Sequence, residues 1–115
     1  MSNIQREPVH AGEFLLSEGQ GKISREAINV AAGSALMAGQ VLGLVTATGE
    51  FTAYDPTAED GSERAVCILF ASLGQSEIVR RGRAVVRLAE VAHALLTGVD
   101  SDAEKALEAK FIIVR

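Results

Sequence analysis

The clearest hydrophobic pattern lies in the middle of the chain, where it predicts three β-strands joined by short turns. An apolar run begins at Val41, Thr48-Gly49 supplies a turn, and β-favouring residues return over 51–54. A polar loop over 55–61 follows, and 65–70 is a nearly unbroken apolar stretch, as is typical of a strand buried on both faces. These positions predict a hairpin followed by a core strand.

Weaker patterns on either side predict further short elements. Alternation over 28–32 indicates a strand, and Gly82 between two arginines indicates a turn that separates strands at 77–80 and 84–88. From there to Leu96 the apolar spacing becomes helical, which predicts a strand that runs into a short helical turn.

The strongest helical pattern lies near the C-terminus. Ser101 and Glu104 have the spacing of a capping box, which predicts a helix with Ser101 as its N-cap. Apolar residues at four-residue spacing predict one buried helix face: Ala103, Leu107 and Phe111. The apolar residues 111–114 then predict a final strand or extended tail that packs against the protein.

The N-terminal part of the chain differs from the rest. Residues 1–25 are polar and rich in turn formers, so we predict a flexible arm at 1–25 and a β-rich domain at 26–115. Such an arm is either a frayed terminus or a segment that becomes ordered on a partner. The second interpretation is favoured by apolar side chains that could anchor the arm: Ile4, Val9, Phe14, Leu15 and Leu16.

Length and composition limit the kind of protein. At 115 residues, with 48% apolar but only 4% aromatic residues, the chain predicts a single domain with a thin core. Thin cores of small domains are often completed by another subunit, so we expect a homo-oligomer. The net charge of −4 argues against nucleic-acid binding through phosphate neutralisation. No apolar run is long enough for a membrane span or a signal peptide, so we expect a soluble protein that no signal peptide exports.

Residues with catalytic or metal-binding chemistry are few. The only histidines are His10 and His93, and the single cysteine, Cys67, lies in the predicted core strand. Metal centres need several such ligands in one coordination sphere, so we expect no metal and no cofactor. Cys67 is expected to be a small buried residue in a reducing compartment. Asp55 or Glu90 could act as the base of a small hydrolase, but no motif pairs either with a second group.

Taken in order, the sequence elements resemble those of one known family. They are FLLSEGQGKISRE, then INVAAGSALMAGQVLGLVTATGEFTAYDPTAEDGSERAVCILF, then AVVRLAEV and the closing FIIVR. Together they resemble the head decoration protein family of tailed bacteriophages, which includes the decoration protein D of phage lambda. The most specific pieces are Ser24-Arg25-Glu26, 38–43, 54–56 with 60–62, and 89–91.

The resemblance implies a mostly β fold of the β-clip type with a small α part, and no enzymatic activity. It also implies a homotrimer on the outer surface of the expanded capsid, made in the host cytoplasm, that binds the major capsid protein and stabilises the shell against packaged DNA. The family's N-terminal arm adds as a strand to the capsid protein. On this chain, the arm residues expected to bind the capsid are Ile4, Val9, Phe14, Leu15, Leu16, Ser24, Arg25 and Glu26.

Two other functions remain open from the residues alone. The approach to the hairpin at 38–42 is similar to that of biotinyl and lipoyl carrier domains, but the turn at 46–50 lacks the lysine that carries the cofactor. An oligomeric β-rich module with another ligand is the second alternative.

Overall fold

Eight strands and one α-helix make up the part of the chain that the computed structural model describes, residues 10–19 and 23–115. The elements are β1 (Leu15–Glu18), β2 (Arg25–Val30), β3 (Val41–Val45), β4 (Glu50–Ala53), β5 (Ala65–Leu69), β6 (Arg80–Val85), β7 (Ala89–Val91), α1 (Ser101–Glu108) and β8 (Ile112–Val114). A short 3-10 turn, His93–Leu95, follows β7. The predicted mostly β fold with a small α part is confirmed.

Five strands close into a barrel in the order β2-β4-β3-β5-β6. The barrel closes because β2 pairs on both edges: it lies antiparallel to β6 over its whole length and parallel to β4, with Val30 opposite Phe51. β3 and β4 form the predicted hairpin, with Gly49 in the turn at φ 73°. The barrel interior is filled by Ile28, Val30, Leu42, Cys67, Leu69 and Ala84.

The predicted core strand is β5, in which only Val66 keeps part of its surface exposed. Cys67 is buried there as predicted, and burial raises the pKa of its thiol to about 12. A thiol in that state is inert, because the thiolate is the reactive form. Cys67 therefore acts as a small apolar core residue.

A second core lies between the barrel, α1 and a small sheet in the order β1-β7-β8. β1 runs antiparallel to β7, with Leu15 opposite Val91, and β8 runs parallel to β7. Of the stretch 88–96, which was predicted to be helical, only the 3-10 turn His93–Leu95 is helical, because Ala89–Val91 is drawn into the small sheet as β7. The largest fully buried side chains of this core are Phe14, Ile68, Leu107 and Ile112.

The prediction of a turn at Gly82 is wrong. β6 runs through Gly82 as one strand and pairs it with Ile28, so the two strands predicted at 77–80 and 84–88 do not form. A Cβ atom at Gly82 would lie 3.0 Å from the Leu73 side chain and 3.3 Å from that of Val30. The glycine therefore allows close packing against β6 and does not break the strand.

The helix differs from its prediction at both ends. The N-cap is Asp100, whose side chain accepts a hydrogen bond from the Ala103 N–H at 2.7 Å, and Ser101 is the first helical residue. Ala103 and Leu107 are buried as predicted, but Phe111 is not. The chain leaves the helix after Glu108 and turns back through Phe111 at φ 62°, which leaves the ring 67% exposed.

Candidate functional site

Of the residues predicted to bind the capsid, those that the structure describes lie in different environments. Ile4 and Val9 fall outside the described residues. Leu16 is the large apolar side chain of the group that remains on the surface, 56% exposed. It lies where the register between β1 and β7 shifts, between Leu15 and Ser17, so the backbone irregularity turns the side chain outward.

Phe14 and Leu15 are integrated into the fold. Phe14 has no exposed surface and packs in the second core, and its carbonyl accepts a hydrogen bond from the Ala92 N–H at 2.8 Å. Leu15 is half-buried and packs against the same core. In this conformation Phe14 holds the segment onto the domain, because its ring cannot contact a partner without leaving the core.

Ser24 joins the start of the domain to β7 from a fully buried position. Its hydroxyl donates to the Leu88 carbonyl at 2.9 Å and accepts from the Gly19 N–H at 2.8 Å. The Gly19 N–H also donates to the Leu88 carbonyl at 2.8 Å. Both partners are backbone groups, so the residue is structural.

Arg25 and Glu26 each pair with another residue of the domain. The Arg25 guanidinium bonds the Glu18 carboxylate and lies 4.1 Å from the centre of the Phe70 ring. The Glu26 carboxylate accepts from Arg87, whose guanidinium also donates to the Ile23 carbonyl. Ion pairs between partly exposed side chains contribute little stability. Each of these charges nevertheless already has an opposite charge beside it, which makes it less available to a partner.

A second exposed apolar surface was missed by sequence reasoning. At the end of the barrel where β3 ends and β4 and β5 begin, a groove of about 430 Å³ opens between the strands and the residues after α1. We call this region the mouth surface and define it by Leu44, Phe51, Val66, Val86, Arg87, Lys110 and Phe111. Phe111 also lines a neighbouring depression, together with Leu88. No periodicity identifies the mouth surface, because its residues come from five separate segments.

The groups considered for an enzyme are held in intramolecular hydrogen bonds. A hydrogen bond from the Thr57 hydroxyl lowers the pKa of Asp55, and hydrogen bonds from Arg115 and Ser17 lower the pKa of Glu90. A general base works best with a pKa near neutral pH. The lowered pKa values of Asp55 and Glu90 therefore make both carboxylates weaker bases. In residues 10–19 and 23–115, no three His, Cys, Asp or Glu side chains are grouped to hold a metal.

The carrier alternative has no structural support in the described residues. Lys105 lies in α1 and Lys110 follows it, while the hairpin turn between β3 and β4 contains no lysine. Carrier domains display their lysine on such a turn. No helix in the described residues is long and apolar enough to cross a membrane.

The described residues thus form a small barrel with several large apolar side chains exposed on its surface. The family model of the bacteriophage lambda head decoration protein D matches residues 4–112, nearly the whole chain. The chain belongs to this family. Among curated proteins, no significant match is found. The protein is therefore a structural protein of the phage head that decorates the capsid, and its place is in the virion.

Proposed function

We propose that this decoration protein assembles as a homotrimer on the outer surface of the expanded head and stabilises the shell against the pressure of packaged DNA. Its partner is the major capsid protein, which it meets after synthesis in the host cytoplasm. The observation that carries the proposal is the family match over residues 4–112. The thin core, with aromatics at 4% of the chain, is consistent with a domain that gains stability from other subunits.

Attachment to the shell uses the N-terminal segment of each copy. A backbone hydrogen bond contributes about 1 kcal/mol net, whereas fixing one flexible residue costs about 1 to 2 kcal/mol, so strand addition alone binds weakly. Burying a leucine such as Leu16 adds about 1.5 to 3 kcal/mol. Three segments on one trimer then convert weak single contacts into high avidity.

Selectivity for the expanded shell follows if each binding site is composed of neighbouring capsid subunits. Such a site exists only when the subunits reach their mature positions. The protein can distinguish expanded from unexpanded shells only if its affinity for the two states differs. We therefore expect binding to expanded heads and none to unexpanded proheads.

The test replaces the proposed anchors in the full-length protein. Leu16→Ser, and separately the pair Ile4→Ser and Val9→Ser, should reduce cosedimentation with expanded heads that lack the decoration protein by at least tenfold. Folding should be retained, because Leu16 is exposed. Proheads should bind none of the proteins.

The matched control is Ile78→Ser, which removes a 74% exposed apolar side chain ahead of β6. It should bind heads like the unmodified protein. Full binding by both anchor variants would refute the N-terminal attachment, and equal binding to proheads would refute the composite site.

A further inference from the structure

Four arginines lie in or just after β6, and two of them have partners inside the fold. The Arg80 guanidinium donates to three backbone carbonyls of two neighbouring loops, at 2.6 to 3.2 Å. The Arg87 guanidinium is paired with the Glu26 carboxylate. These two side chains therefore connect parts of the domain, and their donors are occupied.

Arg81 and Arg83 differ from them, because neither has an anionic partner in the described part of the chain. Both are exposed, and as alternate residues of β6 they place their side chains on the same face of the sheet, about 7 Å apart. The Arg81 guanidinium donates to the neutral amide oxygen of Asn29 at 3.2 Å. The Arg83 side chain forms no hydrogen bond with the residues that the structure describes. Two positive charges thus lie side by side without compensation.

The two arginines line a groove of about 370 Å³ between β6 and the segment that follows β5. We call it the arginine groove and define it by Ala27, Ala71, Leu73, Arg81, Gly82 and Arg83. None of these lining residues is acidic, and the other side chains are small or apolar. Such a groove favours an anionic ligand, because no carboxylate of its own competes for the guanidinium groups.

The arginine groove lies where the N-terminal segment joins the domain. Phe70, which precedes Ala71 of the groove, accepts a hydrogen bond from the Gly12 N–H at 3.0 Å and donates one to the Arg83 carbonyl at 2.8 Å. Gly12 is therefore connected to Arg83 through a single residue. The chain ahead of Gly12 contains two of the proposed anchors, so a shell protein bound by this segment is brought to the side of the molecule where the groove opens.

We propose that the arginine groove binds an acidic segment of the major capsid protein, whose carboxylates pair with Arg81 and Arg83. The inference rests on the proposed attachment to the shell and assigns a second contact of that attachment, with its chemistry. Arginine suits this role because its planar guanidinium can bind a carboxylate through two parallel hydrogen bonds. A nucleic acid fits less well, because binding through phosphates requires many cations and this chain has a net charge of −4.

The first experiment measures cosedimentation of the full-length protein with expanded heads that lack the decoration protein. The double variant Arg81→Glu and Arg83→Glu should raise the dissociation constant at least tenfold, because like charges then face each other. Its far-UV circular dichroism spectrum should stay unchanged, since neither side chain has an internal ion pair. Binding of the unmodified protein should also weaken with added salt, and the neutral double variant Arg81→Gln and Arg83→Gln should lose most of that dependence.

The matched control is the double variant Arg64→Glu and Lys105→Glu. It changes the net charge by the same amount at two exposed positions that line other depressions. It should change the dissociation constant no more than threefold.

The second experiment identifies the group that occupies the groove. A carbodiimide joins an amine to a carboxylate that lies in contact with it, so the Arg83→Lys variant bound to heads should form an amide crosslink from position 83 to an aspartate or glutamate of the capsid protein. The control Arg64→Lys should form none with that protein. Mass spectrometry of the digested heads locates the crosslinks.

The outcomes separate this proposal from the one on which it rests. An unmodified protein that does not bind expanded heads refutes the attachment and the groove contact together. Normal head binding by the Arg81→Glu and Arg83→Glu variant refutes the groove contact alone. Crosslinks from position 83 only to another copy of this chain, or a changed assembly state of that double variant in ultracentrifugation, would also overturn it, because the groove would then lie between copies.

Discussion

At the scale of single residues, Gly43 shows how one missing side chain sets the path of the chain. A Cβ atom there would lie 2.5 Å from the Ser62 carbonyl oxygen and 2.6 Å from the Ser62 Cα atom. Ser62 is itself buried, and its N–H donates to the Asp60 side chain at 2.9 Å. The loop before β5 is therefore fixed against β3 with no space for a methyl group.

Gly43→Ala should lower the free energy of unfolding by about 1 to 3 kcal/mol, because the backbone of Ser62 has to move. Chemical denaturation measures this. The matched control is Gly74→Ala, since a Cβ atom at Gly74 meets nothing within 4 Å. That control should stay within about 0.5 kcal/mol of the unmodified protein. Equal stability of both variants would contradict the close approach at Gly43.

Phe14 marks the limit of residue-level prediction in the N-terminal segment. The segment 1–25 around it is largely polar and turn-forming, so the local pattern indicates an arm, yet the ring is fully buried. The ring is buried because it packs in a core cluster with residues far along the chain, among them Val91 and Ile112. No local pattern carries that information.

At the scale of elements, α1 is joined to the barrel through one carboxylate. Asp100 caps the helix, and its two oxygens also accept from the Tyr54 hydroxyl at 2.9 and 3.0 Å. Burial, with the hydrogen bond and the negative charge of Asp100, raises the pKa of Tyr54 to about 12. The phenol is therefore held in its neutral form.

Tyr54 should titrate near pH 12, instead of near 10, in the folded protein. It is the only tyrosine and the chain has no tryptophan, so absorbance at about 295 nm reports this phenol alone. The folded pKa is raised, so the stability contribution is complete below the unfolded pKa near 10. It is lost as pH rises through about 12.

Asp100→Asn is the matched control for that titration. Asparagine keeps an N-cap acceptor but removes the negative charge, so the Tyr54 pKa should move down toward its ordinary value. An unmodified protein whose tyrosine titrates near 10 while folded would contradict the Tyr54–Asp100 contact.

The β1 strand changes how the N-terminal segment has to be studied. The sequence alone suggests a simple deletion of residues 1–20 to remove the arm and abolish decoration. In the structure that deletion also removes Phe14 and the whole of β1, and with them one core side chain and one edge of the small sheet. Point substitutions at exposed positions therefore separate binding from folding.

At the scale of the whole molecule, this decoration protein combines a closed barrel with a small sheet that keeps two open edges. Among the described strands, β1 and β8 each pair only with β7. Open edges are sites where another chain can add a strand. Attachment through the segment that leads into β1 is consistent with this arrangement.

Filled heads that carry the protein should release their DNA at a higher temperature than filled heads without it. The proposed trimers link neighbouring capsid subunits and so oppose the outward pressure of the packaged DNA. A DNA-binding dye monitors release during heating. Heads incubated with Leu16→Ser should behave like bare heads, and identical release temperatures with and without the unmodified protein would refute shell stabilisation.

Prediction from the sequence succeeded where the determinants are local. The hairpin, the buried strand around Cys67 and the helix after Asp100 follow from side-chain periodicity and turn residues, and the order of elements matched the family. It failed at Gly82 and Phe111, where the local residue type favours one structure and a distant contact imposes another. The capsid-binding residues stay a prediction, and among their described apolar members the structure leaves Leu16 exposed.

By itself, the sequence determined a single mostly β domain without a catalytic motif, because hydrophobic alternation and turn chemistry act over a few residues. Only the tertiary structure decided that Phe14 lies in the core, that β6 passes unbroken through Gly82, and that Leu88 and Phe111 meet on one exposed surface. The physical reason is that barrel closure and sheet pairing join segments far apart in the chain. Steric space and burial at each position are set by those partners.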